Sequence, residues 1–214
     1  MWQLVEHRSH ALKVDILRLQ LPALRGWLFL WMQQLPHIIL VGMPGSGKST
    51  VARQLGRRLQ QPVFDCDSVI EARLGCSIRT YFGEFGEAAF RDIEAQVFDE
   101  LTRTGGGSII ATGGGTVLRA ENREKMRARG VVIYLRTSPE HIFSRLKRDT
   151  KRPLLQVDDP LRRLRALYAE REPLYREVAH HVVETRGQSL AMLVNRLAMQ
   201  FDLTPGAQQT SLLG

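Results

Sequence analysis

Cysteine is scarce, tryptophan is missing from most of the chain, acid falls short of base, and no apolar run is long. Only two of the 214 residues are cysteines, Cys66 and Cys76. Two thiols cannot build the disulfide framework of a small secreted domain, so a reducing compartment with both thiols free, the cytoplasm, is expected. The longest apolar run, Trp27 to Met32, is six residues, well under the roughly 20 that span a bilayer. No membrane partner is expected. Thirty Lys+Arg against 22 Asp+Glu leave a net charge of +8. Such a balance suits nucleic acid, phosphorylated ligands or an acidic surface, and does not choose among them. No stacking-aromatic motif or groove-reading helix accompanies the charge, so nucleic acid is not expected as a partner. With 43% apolar and 24% charged residues, the composition excludes a disordered chain and a collagen-like fibre. The length allows one domain with chain to spare.

The spare chain lies at the ends. Trp2, Trp27 and Trp31 are the three tryptophans, and Leu12, Ile16 and Leu19 have helical spacing. The basic residues from Arg8 to Arg25 are scattered and no small-residue cleavage site follows, which makes a poor secretory signal. Translation starting at Met32 is an alternative. Residues 1–34 are expected to lie outside the fold. Residues 202–214, with the polar run Thr204 to Ser211, read as a flexible tail. Residues 35–201 are left as the domain.

Within that stretch short apolar runs alternate with helical periodicity. Strands are expected at His37–Val41, Pro62–Asp65, Ser108–Thr112, Val131–Leu135 and His181–Glu184. Helices are expected at Ser49–Gln60, Glu87–Arg103, Glu121–Arg129, Pro139–Arg148, Leu161–Val178 and Ser189–Gln200. The alternation calls for an α/β fold with a parallel sheet covered on both faces. Ligands then bind beyond the carboxyl ends of the strands.

The informative motifs stand at those ends. Gly42-Met43-Pro44-Gly45-Ser46-Gly47-Lys48-Ser49-Thr50 fits G-x-x-x-x-G-K-[ST] between a strand and a helix, the context this phosphate loop requires. Its backbone amides and the helix N-terminus suit phosphate, Lys48 can reach the outer phosphates, and Ser49 offers a hydroxyl to Mg²⁺. Asp65-Cys66-Asp67 closes the second strand. If it is extended, both carboxylates project to one side, over the phosphate loop; the plainer reading is a turn in which Asp67-Ser68 caps the next helix. Cys66 reads as a small core-facing filler. Arg91 could fork onto a carboxylate, or belong to a surface network with Glu87 and Glu94. Thr112-Gly113-Gly114-Gly115-Thr116 allows close backbone approach to a small polar ligand, whereas Gly105-Gly106-Gly107, ahead of its strand, reads as a turn. Arg145, Lys147, Arg148, Lys151 and Arg152 make a basic run that suits a mobile lid over triphosphate, or a solvated basic face.

In order and spacing, GMPGSGKST, DCD, FRDIE, ATGGG, KRPLL and EREPLY resemble the shikimate kinase family from about His37 to Gln200. The resemblance implies a three-layer P-loop kinase fold of the nucleoside-monophosphate-kinase type. Its five-stranded parallel sheet would have order 2-3-1-4-5, with helices on both faces and a mobile lid. It implies phosphorylation of the shikimate 3-hydroxyl by ATP, a step towards chorismate and aromatic amino acids, with Mg²⁺ as cofactor. On matching positions, Gly45, Ser46, Gly47, Lys48, Ser49 and Thr50 would hold the ATP phosphates. Arg152 would be the lid arginine, and Arg148, Arg186 and Gln188 the adenine-side residues. Ser49 would bind the metal, with Asp65 behind it through water. Asp67 would orient or deprotonate the attacking hydroxyl. Arg91 and Arg171 would clamp the carboxylate, and Gly113, Gly114 and Gly115 would meet the ring hydroxyls. Phe82 and Phe90 would form apolar walls, with Glu94 supporting the pocket. Lys48, Asp67 and Arg152 would carry the catalysis in a monomer. The competing readings are a gluconate or nucleotide kinase on the same scaffold, a catalytically idle phosphate-loop protein, and a nucleic-acid-binding module.

Overall fold

In the computed structural model, residues 36–103, 107–146 and 159–201 are described. The strands are β1 (His37–Val41), β2 (Val63–Asp65), β3 (Ile109–Ala111), β4 (Gly130–Arg136) and β5 (His181–Glu184). The helices are α1 (Lys48–Leu59), α2 (Cys66–Leu74), α3 (Ile78–Arg103), α4 (Ala120–Arg129), α5 (Pro139–Leu146), α6 (Pro160–Val178) and α7 (Leu190–Phe201), with a 3₁₀ turn at Thr116–Leu118. The strands form one sheet in the order β2-β3-β1-β4-β5, and every pairing is parallel.

Strand alternation sorts the apolar residues into two layers. Ile39, Val41, Ile110, Val132 and Tyr134 face one way, against Phe98 of α3, Met126 of α4, Ile142 of α5 and Leu164, Leu167 and Tyr175 of α6. Ile38, Leu40, Ile109, Ala111, Ile133, Leu135 and Val183 face the other, against Val51, Ala52 and Leu55 of α1 and Leu193, Val194 and Leu197 of α7. Because β1 is central and buried on both faces, the loop that leaves it is held from both sides. Ser138 caps α5, accepting from the His141 amide at 3.3 Å, with Pro139 in the first turn.

Three expectations shift. The extended reading of Asp65-Cys66-Asp67 does not hold: the strand ends at Asp65, and Cys66 already belongs to α2. Nor is Asp67-Ser68 the cap. Asp65 Oδ1 accepts from the Ser68 amide at 3.3 Å and is itself the N-cap. The helix expected from Glu87 begins at Ile78, with Gly86 (φ 80°, ψ 178°) breaking it in two. Tyr81, Phe82 and Phe90 on either side of this break pack with Ile70 of α2 and Val97 of α3 into a third apolar cluster. Cys66 is fully buried, as expected of a filler.

α1 passes so close to the start of β2 that a β-carbon on Gly56 would meet Val63 Cγ2 and lie 3.0 Å from the Gln61 carbonyl oxygen. Gly56→Ala is therefore expected to lower stability by about 1–3 kcal/mol through overpacking. A urea titration checks it, and an unchanged midpoint would show that the helix can shift to make room.

Candidate active site

The phosphate loop is built by β1 and α1. Gly45 and Gly47 take positive φ (82° and 99°), which glycine adopts without strain. Gly47 is the N-cap of α1 and supplies no side chain, so the helix opens with backbone amides facing a ligand, where its dipole favours an anion. The Lys48 side chain folds back across the loop, with Nζ donating to the carbonyls of Gly42 at 2.8 Å and Met43 at 3.0 Å. Lys48 is only 8% exposed. Ser49 and Thr50 follow, both exposed.

The glycine loop after β3 lies alongside. A β-carbon on Gly114 would sit 2.6 Å from Cγ and Cδ of Pro44, within the phosphate loop. A β-carbon on Gly113 would meet Glu94 Oε1 and lie 3.1 Å from Asp67 Oδ1; one on Gly115 would collide with the Arg91 guanidinium. The three glycines are thus where the phosphate loop, Asp67, Glu94 and Arg91 converge.

Asp67 stands in the first turn of α2. Solvent reaches it, yet protein surrounds most of its carboxylate. That enclosure pushes its carboxyl up to about 6, with Lys48 opposing and Asp65 and Glu94 adding to the rise.

Arg91 and Arg171 differ in a way the sequence did not reveal. Arg91 already has acidic partners: Nη2 meets Glu87 Oε1 at 3.0 Å and Nη1 meets Glu94 Oε2 at 2.6 Å. Glu94 is a buried carboxylate, 2% exposed at its side chain, and Oε1 also accepts from Thr116 Oγ1 at 2.8 Å. Arg171 is 11% exposed at its side chain, and among the described residues the acid it pairs with, Glu170, is 3.8 Å away. Its buried Nε has no hydrogen-bond partner among the described residues, and Nη1 donates to the Gly114 carbonyl at 3.3 Å. A buried guanidinium with donors to spare beside a glycine loop is a receptor for an anion.

Phe82 and Phe90 pair with ring centroids 5.2 Å apart, and the Arg91 guanidinium lies 5.2 Å from the Phe90 ring centroid. Arg186 stands in the turn after β5 and Gln188 just beyond it, at the carboxyl edge of the sheet. Arg148 and Arg152 lie outside the described residues, as do residues 1–34, residues 202–214, Gly105 and Gly106.

Sequence reasoning passed over three residues. Arg145 of α5 reaches the Ser46 carbonyl with Nη1 at 3.5 Å; it was visible only as one member of a basic run. Tyr175 donates to the Gly114 carbonyl at 2.5 Å, and its position four residues after Arg171 was the available signal. Thr116, fully buried, was visible only as the residue that closes the glycine motif.

The family model for shikimate kinase matches residues 44–201. The chain belongs to the shikimate kinase family. It is 55% identical over 168 residues to shikimate kinase from Paracidovorax citrulli, covering 78% of this chain and 92% of that one. It is 50% identical over 170 residues to the enzyme from Burkholderia pseudomallei, with the same coverage. Among solved structures it is similar to shikimate kinase from Acinetobacter baumannii in complex with shikimate. That match has a TM-score of 0.74 at 42% identity and covers 80% of this chain and 96% of that one. Shikimate kinase from Aquifex aeolicus matches with a TM-score of 0.67 at 32% identity, covering 78% of this chain and 96% of that one. As a member of the shikimate kinase family, the chain shares the α/β architecture and strand order expected of it.

Proposed function

We propose that this chain transfers the γ-phosphoryl group of ATP to the 3-hydroxyl of shikimate, giving shikimate 3-phosphate and ADP. The observation that carries the reading is the meeting of Asp67, Glu94, Arg91 and Pro44 at Gly113–Gly115, with Arg171 bonded to Gly114. Shikimate is a small carboxylate with several hydroxyls. It needs a fixed cation for the first and acceptors for the second, beside a phosphate cradle.

In this reading the amides of Gly45 to Thr50 and the Lys48 ammonium hold the ATP phosphates, and Arg145 braces the loop from α5. Arg152 closes on the outer phosphates from a lid, with Arg148, Arg186 and Gln188 towards the adenine. Asp67 orients the attacking hydroxyl and accepts its proton. Arg171 takes the substrate carboxylate with Arg91 beside it, Gly113–Gly115 bind ring hydroxyls, and Phe82 and Phe90 wall the ring. The Ser49 hydroxyl and the Asp65 carboxylate are hard oxygen donors, too few for an all-protein cage. No group of three or more His, Cys, Asp or Glu among the described residues could hold a metal ion. That donor set fits Mg²⁺, which keeps waters and leans on substrate phosphates. Bound there, it would neutralise charge between the outer phosphates. We further propose that residues 35–201 are the catalytic domain of a cytoplasmic monomer; two free thiols suit that setting.

The test is ADP release from Mg·ATP with and without shikimate, with gluconate and a nucleoside monophosphate for comparison. Shikimate-dependent turnover is expected. Turnover on a comparison substrate alone would keep the kinase and discard the acceptor. ATP binding without turnover would leave an idle binding protein.

The two arginines should separate. Arg171→Ala is expected to raise the shikimate KM about 10²-fold, as when one partner of a desolvated charge pair is removed, with little change in Tm. Arg91→Ala should raise KM and lower Tm as well, because it strands the buried Glu94 carboxylate. An unchanged shikimate KM in Arg171→Ala would end its carboxylate role.

A further inference from the structure

Two donors from α6 share one acceptor on the glycine loop. The Gly114 carbonyl receives the Tyr175 hydroxyl at 2.5 Å and Arg171 Nη1 at 3.3 Å. The shorter bond is the stronger one, and 3.3 Å is beyond the usual range for N–H···O. Tyr175 is fully buried. Its ring stacks on Tyr134 of β4, with centroids 5.1 Å apart and planes 30° apart. Burial holds its phenol far above the ordinary value, so the hydroxyl is a permanent donor.

Gly114 is thereby gripped from two sides. The Pro44 ring fills the space where a β-carbon would stand, and Tyr175 fixes the carbonyl. With the carbonyl satisfied by a phenol, Arg171 need spend only a weak contact on it.

We propose that Tyr175 is a positioning residue for the phosphoryl acceptor: its hydroxyl anchors Gly114 and so leaves the donors of Arg171 to the acceptor's carboxylate. This rests on the shikimate reading above. Without the hydroxyl, Arg171 is the remaining donor to this half-buried carbonyl among the described residues. The guanidinium is drawn onto the backbone, and the glycine loop loses its fixed orientation. Among the described residues no hydrogen bond joins Tyr175 to the phosphate cradle, which β1 and α1 build and which meets Gly114 through the Pro44 ring.

The test is Tyr175→Phe, which keeps the ring and its stack. The shikimate KM is expected to rise about ten-fold, the scale of leaving a partly buried acceptor short of one hydrogen bond. kcat should stay within about three-fold, and the Kd for ATP, measured without shikimate, should be unchanged. Tyr134→Phe is the control. It retains the stack and the Tyr175 hydroxyl, and should keep the wild-type shikimate KM. An unshifted shikimate KM in Tyr175→Phe would overturn the proposal, as would an equal shift in Tyr134→Phe. Loss of ATP and shikimate binding together would show a purely structural role and overturn it too. A wild-type chain without shikimate turnover would bring down the shikimate reading itself, which the same assay reports before any variant is made.

Discussion

Lys48→Met is expected to lower kcat by about 10³-fold, with the fold retained. The lysine is almost entirely buried, and the carbonyls of Gly42 and Met43 hold its ammonium over the phosphate loop. Those carbonyls preset where the charge stands before any phosphate arrives. A preorganised charge in a site shielded from water does not have to reorganise as the transition state forms, and removing one such group costs about 10²–10³ in rate. Lysine serves as the only side-chain cation of the loop itself, which puts it at the upper end of that range. Methionine keeps the length and apolar character of the stem, so packing along α1 should survive. ADP release against shikimate concentration measures the loss, and a thermal melt confirms the fold. Turnover within ten-fold of wild type would take Lys48 out of the chemistry.

Asp67→Asn is expected to reduce kcat by about 10²–10⁴-fold, the range for a positioned general base. The same carboxylate sets a pH dependence. Its carboxyl is raised from 3.8 to about 6, chiefly because the protein packed around it thins its hydration, although solvent still reaches it. Below about pH 6 it is protonated and cannot accept the hydroxyl proton, so kcat/KM for shikimate should fall with one acidic limb near that value. Stability runs the opposite way. Between about pH 4 and pH 6 the folded protein holds a proton on Asp67 that the unfolded chain has released. The favourable contribution is therefore present at low pH and is lost as the pH rises through 6. Above that, a partly desolvated carboxylate beside Asp65 and Glu94 weighs against the fold. Asp67→Asn should melt higher than wild type at pH 8, with the difference shrinking towards pH 5. A variant that is slower but no more stable at pH 8 would mean that water reaches the carboxylate freely. An acidic limb that persists unchanged in the variant would place it on another group.

Much of the fold was open to sequence reading. Five short apolar runs alternating with 3.6-residue periodicity have one economical arrangement, a parallel sheet with two apolar faces, and Ile39 and Leu40 pack into opposite layers as that requires. The phosphate loop was equally legible because its chemistry is local: glycines, a helix start and Lys48 lie within nine consecutive residues. Reasoning by local pattern went astray at Asp65-Cys66-Asp67. Strand alternation explains two carboxylates on one side only if the strand continues, and Asp65 instead ends it by capping α2. Asp67 reaches the glycine loop from a helix. The helix from Ile78 to Phe85 was also missed, because Gly83 and Gly86 interrupt its pattern and its apolar residues answer to α2.

By itself, then, the sequence determined the order of the strands along the chain, the phosphate loop and the family, for these follow from neighbours along the chain. Only the tertiary structure decided how the charges are shared. Arg91 and Arg171 look alike in sequence. Folding gives Arg91 two glutamates from its own helix, while Arg171 reaches the glycine loop with a buried nitrogen that has no hydrogen-bond partner among the described residues. The rise in the Asp67 carboxyl has the same origin. A group's charge partners and its access to water depend on which distant segments close around it, and no spacing along the chain records that.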